Sequence, residues 1–333
     1  MVLVVALVHA FAATASIPTF DTLRAQWLKP CNEAGRRGAL CKKWADVVDT
    51  HLSALKRGHS LARAELLEHG DADKPINKSP RRAGTADDVL DMFNATWSCA
   101  SKEEMPPPRP GLSHYERQKH GAKWMCGLGI VNTYVATQSG PPCRAYSFGS
   151  EGRTGWEQSI KERLPNCSIW TFDPTMTRKA VAKVREVEAR GVLTFTELGL
   201  VGGADVMWGD RGAISRENAT GRHGLWGTTL PAIQSRLGHT EPPTFLKVDI
   251  ETSEFGVVLQ SHTCPRAAQL QIEVHTIRST PREVYRFFEI LAHCGYAVFS
   301  KDRVMRNCVE LAWMSPAFAF AEWIKAKRVH GVD

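Results

Sequence analysis

Apolar residues recur along this chain with two different periods, and the change near residue 105 divides it. Between residues 16 and 70, Leu23, Trp27, Trp44, Val47, Val48, Leu52, Leu55, Leu61, Leu66 and Leu67 fall at helical spacings. Residues 71–88 contain Asp71-Ala-Asp-Lys-Pro75 and Lys78-Ser-Pro-Arg-Arg82 and read as a polar linker. Val89–Trp97 predicts one more helix. Met105-Pro-Pro-Pro-Arg-Pro110 suits neither a helix nor an inner strand, because proline fixes φ and lacks an N–H. The domain boundary is therefore placed there, with a helical region and linker over 16–105 and a second domain over 111–333.

Beyond the boundary the pattern alternates. A helix is predicted over Tyr115–Cys126, leading into the first strand. Strands are predicted at Arg144–Phe148, Cys167–Phe172, Val192–Thr196, Thr244–Ile250 and Ala268–Val274. Helices are predicted at Trp156–Leu164, Arg178–Arg190, Thr228–Leu237 and Pro281–Cys294, the last carrying Val284, Phe287, Phe288 and Leu291 on one face. Gly199–Gly224 is glycine-rich and reads as a long surface loop. Tyr296–Ser300 and Cys308–Met314 are close enough to form a hairpin. This alternation predicts an α/β domain with a mostly parallel sheet and an antiparallel terminal hairpin, preceded by a small helical region.

Composition changes this picture little. Hydrophobic residues at 43% supply a core, and 23% charged residues with a net charge of +7 describe an ordinary globular surface. The charge is spread out, so nucleic acid is not an expected partner, although an acidic glycan would suit it. The N-terminus adds more. Val2–Ala15 is apolar apart from His9 and Thr14, and Ala13-Thr14-Ala15 fits a cleavage site before Ser16. Residues 1–15 are read as a signal peptide, with an uncleaved signal-anchor as the alternative. No later segment is read as crossing a bilayer.

Sequons at Asn77, Asn94, Asn166 and Asn218, together with nine cysteines, agree with a secreted or lumenal glycoprotein. No C-x-x-C pair is present. Positions along the chain predict a Cys126–Cys143 bridge across the loop holding Gly140-Pro-Pro142, and a Cys294–Cys308 bridge flanking the hairpin. The odd count leaves a thiol over.

Three stretches carry candidate chemistry. The first runs from Cys143 to Pro174: strand, Gly149-Ser-Glu-Gly152-Arg-Thr-Gly155 turn, helix, strand and Asp173. This is the layout of a nucleotide-binding βαβ unit, with Asp173 21 residues after Gly152, where an acid can accept both ribose hydroxyls. The glycine spacing is not G-x-G-x-x-G, which speaks against a dinucleotide oxidoreductase. The second stretch is Leu246-Lys-Val-Asp249-Ile-Glu251-Thr-Ser-Glu254, with three acids where a parallel strand should end. Acids there orient a sulfonium or ammonium group, hold a metal or act as a base; the bland alternative is a solvated helix cap. The third is Leu270-Gln-Ile-Glu273-Val-His275, whose Glu273 and His275 share a strand face. A satisfied polar pair is favoured there, and no metal site is assigned.

Tyr146-Ser-Phe-Gly149-Ser-Glu-Gly152, Thr171-Phe-Asp-Pro174, Leu246-Lys-Val-Asp-Ile-Glu251 and Gln271-Ile-Glu-Val-His275 together resemble the methyltransferase-like protein 24 group, secreted relatives of the FkbM-type methyltransferases. Lys123-Trp-Met-Cys126 fits the same group, and the resemblance covers roughly residues 111–315. It implies a Rossmann-like class I fold that binds S-adenosylmethionine. It also implies that Gly149, Ser150 and Gly152 line the methionine part of the cofactor, that Asp173 holds the ribose, and that Asp249 and Glu251 lie near the transferred methyl. Asp249, Glu251 and His275 are the candidate bases. The function expected is methylation, on oxygen, of a sugar or small secreted molecule in the secretory pathway. The alternative is an inactive binding module on the same fold, in which Arg153 or Trp156 would fill the cofactor turn.

Overall fold

A computed structural model describes residues 19–33, 39–69, 86–107, 122–137, 143–202, 227–251, 253–259, 264–277, 279–305 and 307–329. The signal-peptide reading, most of the linker and most of the glycine-rich loop lie outside the described residues.

Among the described residues, three helices come first: α1 Phe20–Glu33, α2 Ala39–His69 and α3 Ala86–Asp91. Leu23, Trp27 and Cys31 recur every fourth residue on α1 and are buried, as are Trp44, Val48, Leu52 and Leu55 on α2. Two short strands follow, β1 Lys102–Met105 and β2 Lys123–Cys126, paired antiparallel. Residues Lys123–Cys126 are thus strand and not the end of a helix from Tyr115. Their pairing with Lys102–Met105 supplies backbone partners that outweigh any local helical preference. Tyr115 itself lies outside the described residues.

The remaining elements are α4 Val131–Thr137, β3 Arg144–Phe148, α5 Gly155–Arg163, β4 Ser168–Phe172, α6 Arg178–Ala189, β5 Thr194–Thr196, β6 Gly199–Leu200, β7 Gly227–Thr228, α7 Leu230–Arg236, β8 Phe245–Val248, α8 Glu254–Leu259, β9 Gln269–His275, α9 Pro281–His293, β10 Ala297–Met305, β11 Cys308–Met314 and α10 Pro316–Val329. Seven of these strands form one sheet in the order β10-β11-β9-β8-β3-β4-β5. The run from β9 to β5 is parallel, and β11 is antiparallel to both of its neighbours. This is the expected class I α/β fold with its terminal hairpin. The hairpin places its odd strand one position in from the edge, because β11 inserts between β9 and β10. Strand order reverses at β3 and β8, and ligands of open α/β sheets sit at the carboxyl ends beside such a reversal.

Side chains alternate across the sheet. Tyr146, Phe148, Leu246, Val248, Leu270 and Ile272 point to one face and pack with Val284, Phe287, Phe288 and Leu291 of α9. Ala145, Ile169 and Phe245 point to the other and meet Trp156, Ile160, Val184 and Phe318. A third cluster joins α1 and α2 to the hairpin and α10. In it Trp27, Trp44 and Trp97 pack with Ala312, Met314, Phe320 and Trp323.

Four disulfides form: Cys31–Cys41, Cys99–Cys126, Cys143–Cys167 and Cys264–Cys294. Cys308 is a buried free thiol. Neither predicted pairing, Cys126–Cys143 or Cys294–Cys308, is made. Arg144 and Ser168 are register partners on parallel strands, so the residues just before them, Cys143 and Cys167, start side by side with Cα atoms 4.5 Å apart. In the hairpin, Ala297 pairs with Met314 and Met305 with Cys308. Cys294 and Cys308 therefore sit at opposite ends of a nine-residue strand, roughly 30 Å long.

Candidate active site

The glycine turn leaves β3 at Phe148. Gly149 has φ +75, and a Cβ there would lie 1.6 Å from the backbone oxygen of Asp249, so only glycine fits where the ends of β3 and β8 touch. Gly152 has φ +78, and a Cβ there would meet the Cβ of Ala180 on α6 at 2.9 Å. Asp173, at the end of β4, clasps the turn. Its Oδ2 accepts from the N–H groups of Ser150 (3.0 Å) and Glu151 (2.9 Å), and its Oδ1 accepts from the N–H and hydroxyl of Thr175 at 2.9 and 2.8 Å. Gly149, Ser150, Gly152 and Asp173 are thus brought together. Trp156 turns into the core, and the Arg153 guanidinium lies on the carboxylate of Glu151 at 2.6 Å.

Asp249 follows directly on β8, and its N–H donates to the Phe148 carbonyl at 3.0 Å. Two ammonium groups face its carboxylate, Lys123 at 3.3 Å and Lys247 at 3.8 Å. Lys247 also donates to the Gly149 carbonyl at 2.5 Å, tying the acid cluster to the turn. Lys123 is completely buried on β2 and bonds Glu273 at 2.7 Å and Glu310 as well. Glu273 and Glu310 are register partners on β9 and β11.

Burial alone would lower the Lys123 ammonium, but Asp249, Glu310 and Glu273 outweigh it and hold Lys123 well above the usual lysine range. Burial pushes Glu310 well above the carboxylate range, with the Glu273 charge adding to it against Lys123. Glu273 resists its own burial and is held low, chiefly by Lys123.

His275 ends β9. Its Nδ1 lies 3.2 Å from Glu254 Oε1, and its Nε2 lies 3.5 Å from Glu273 and 3.6 Å from Glu251. Burial disfavours the imidazolium, yet Cys308, Glu254 and Glu273 overcome this and raise His275 far above the usual histidine range. Glu251 has φ +51, and its side chain is 79% exposed, unlike the rest of the cluster.

All three candidate bases, Asp249, Glu251 and His275, meet within one cluster of potential ligand atoms, and Gly149 joins that cluster to the turn. Lys247 and Glu310 join the cluster without being among the residues expected from the sequence, where a charged residue inside a buried strand is the one signal of a partner across the sheet. Lys123 stood within a recognised motif but on the wrong element. Cys308 is a free thiol beside His275 and not the bridge partner of Cys294.

A cavity of about 220 Å³ lies elsewhere, beneath α7 and α8, lined by Leu246, Val248, Val257, Leu270 and Ile272. It opens on the apolar face of the sheet, away from the glycine turn, and Glu254 is its one link to the cluster.

In sequence, residues 111–315 match the family model described as a methyltransferase domain. No curated protein matches the sequence. Among solved structures, a putative O-methyltransferase from Klebsiella pneumoniae is 8% identical, covering 62% of this chain and 83% of its own, with a TM-score of 0.30. An O-methyltransferase family protein from Burkholderia thailandensis is 9% identical, covering 79% of this chain and 71% of its own, with a TM-score of 0.30. Likeness at those scores is faint, whereas the family model spans more than half of the chain: this protein belongs to the methyltransferase-domain family, and S-adenosylmethionine is its cofactor.

Proposed function

We propose that the protein methylates a hydroxyl group on a sugar or small molecule within the secretory pathway. One observation carries the reading: the cofactor turn and the carboxylate cluster meet at a single point, where Gly149 abuts the Asp249 backbone. The residues present fit a cationic cofactor. Glycines keep side chains out of the turn at 149 and 152, and Asp249, Glu251, Glu254 and Glu273 gather negative charge at the strand ends. When bound, S-adenosylmethionine supplies an electrophilic methyl group on a sulfonium. In this reading Gly149, Ser150 and Gly152 hold its methionine part and Asp173 its ribose. Asp249 is fixed between Lys123 and Lys247 and faces the reacting centre. Glu251, exposed beside His275, takes the proton of the acceptor hydroxyl, and His275 holds its own proton and orients Glu251.

The secretory setting is supported by the four disulfides, by the N-terminal apolar run ending at Ala13-Thr14-Ala15, and by the exposed sequon residues Asn94 and Asn166. Among the described residues no helix is long and apolar enough to cross a membrane.

Calorimetric titration with S-adenosylmethionine, followed by transfer of a labelled methyl group to glycans and small phenols, tests the proposal. Asp173→Ala is expected to weaken cofactor binding by roughly 1.5–3 kcal/mol; unchanged affinity removes Asp173 from the ribose role. The second reading, an inactive binding module, is favoured by the four internal hydrogen bonds already made by Asp173. Cofactor binding without transfer to any acceptor would support it, and absence of cofactor binding would defeat the first reading.

A further inference from the structure

Cys308 stands outside the four disulfides, and strand pairing decides its surroundings. Antiparallel register sets Cys308 directly opposite His275, with Glu273 two residues away on the same face. The thiol donates to Glu273 Oε1 at 2.8 Å. His275 Nε2 lies 3.5 Å from that same oxygen and 3.6 Å from Glu251 Oε2. Donor atoms of Glu273, His275 and Cys308 all fall within 4.8 Å of one another, and Asp249, Glu251 and His275 form a second such group through the shared imidazole. Bonds of about 2.0–2.3 Å to a tetrahedral ion hold its ligand atoms roughly 3.3–3.8 Å apart; the imidazole distances of 3.5 and 3.6 Å fall in that range, and the 2.8 Å thiol–carboxylate hydrogen bond opens when the thiol proton leaves.

Two contacts fix the donors. Glu254 Oε1 takes the Nδ1 side of His275 at 3.2 Å and leaves Nε2 facing the cluster, the arrangement found behind metal-bound histidines. Lys123 holds Glu273 Oε2 at 2.7 Å, so Oε1 turns toward the thiol and imidazole. Glu254 is fully buried, and its Oε2 has no partner. Asp249 and Glu273 lie on Lys123, and Glu254 lies on the His275 imidazole, so these contacts hold the donor groups in place around the thiol.

We propose that Glu273, His275 and Cys308 bind a divalent first-row metal ion, zinc for preference given the mixed nitrogen, oxygen and sulfur donors, with Glu251 beside the fourth position. The pair Glu273-x-His275 did not justify a metal by itself; the sulfur brought across from β11 changes the donor set. On binding, sulfur–metal and nitrogen–metal bonds form, and the protons on the Cys308 thiol and the His275 Nε2 pass to solvent. The site shares His275 and Glu251 with the proposed methyl-transfer cluster, and metal uptake is read without any methyl acceptor.

The test is titration of the metal-free full-length protein with Co²⁺, without reductant, followed by absorption. Saturation at one equivalent is expected, with a near-ultraviolet thiolate-to-cobalt charge-transfer band that Zn²⁺ abolishes. All other cysteines are in disulfides, so the band reports Cys308 alone. Cys308→Ser should remove the band while near-ultraviolet circular dichroism stays native, and Glu254→Gln should weaken Zn²⁺ binding by about 10–100-fold. Absence of saturable uptake by the wild type, or an identical band in Cys308→Ser, overturns the proposal. The wild-type spectrum decides the matter even where a variant fails to fold.

Discussion

Lys123 and Asp249 show how single residues divide structural and chemical work at the carboxyl edge of the sheet. Lys123 is buried among three carboxylates, and removing it would strand like charges in a dry site. Asp249 is its most distant partner at 3.3 Å, and Glu273 and Glu310 remain on Lys123 when Asp249 changes. Asp249→Asn keeps the shape and loses the charge. It is expected to leave Tm near wild type and to lower methyl transfer by about a hundredfold or more, as for a lost acid–base group. Thermal melting alongside turnover per folded molecule checks this; a fallen Tm with surviving turnover would assign Asp249 to structure alone. The strand-end acids were legible in the sequence because charge interrupted an apolar run. Lys123 was not, since its partners lie 126, 150 and 187 residues away.

At the scale of elements, pairing register decides which cysteines meet. β3 and β4 begin together, so their leading cysteines bond; Cys99 reaches Cys126 because β1 lies beside β2. Non-reducing peptide mapping is expected to recover Cys31–Cys41, Cys99–Cys126, Cys143–Cys167 and Cys264–Cys294, with one alkylatable thiol, Cys308, appearing only after denaturation. Recovery of Cys126 joined to Cys143 would refute the register argument. The helix at Pro281–His293 is marked locally in the sequence. Thr280 and Glu283 form a reciprocal capping box on α9, the local signal expected ahead of Val284, Phe287, Phe288 and Leu291. A cap and an apolar stripe are both local, whereas strand pairing is not.

Across the whole molecule, the N-terminal helices are fastened to the sheet through an aromatic cluster with a histidine inside it. The His51 ring lies 4.6 Å from Trp27 and is 2% exposed, and no charged group among the described residues faces it. Burial depresses its pKa from 6.5 to about 4. The unfolded chain binds this proton below about pH 6.5 and the folded chain only near pH 4, so the unfolded state holds more protons in that window. Stability is therefore full above pH 6.5 and falls as pH drops toward 4, by up to roughly 3 kcal/mol from this group. Denaturant melts at pH 7 and pH 4.5 check the sign: His51→Leu should lose less stability on acidification than wild type, and an equal loss would exclude His51 as the source.

The sequence by itself determined the alternation of strands and helices, the glycine turn with Asp173 behind it, and the acids ending β8. Each of these is a local matter of period, turn chemistry or the cost of charge in an apolar run. The tertiary structure decided everything that depended on which strands lie side by side. It moved Lys123 from a helix to a strand facing Asp249, Glu273 and Glu310, paired the cysteines differently, and set Cys308 opposite His275. Pairing is chosen by packing and backbone hydrogen bonds summed over the whole sheet. The chain carries no mark at residue 308 that records its neighbour at 275.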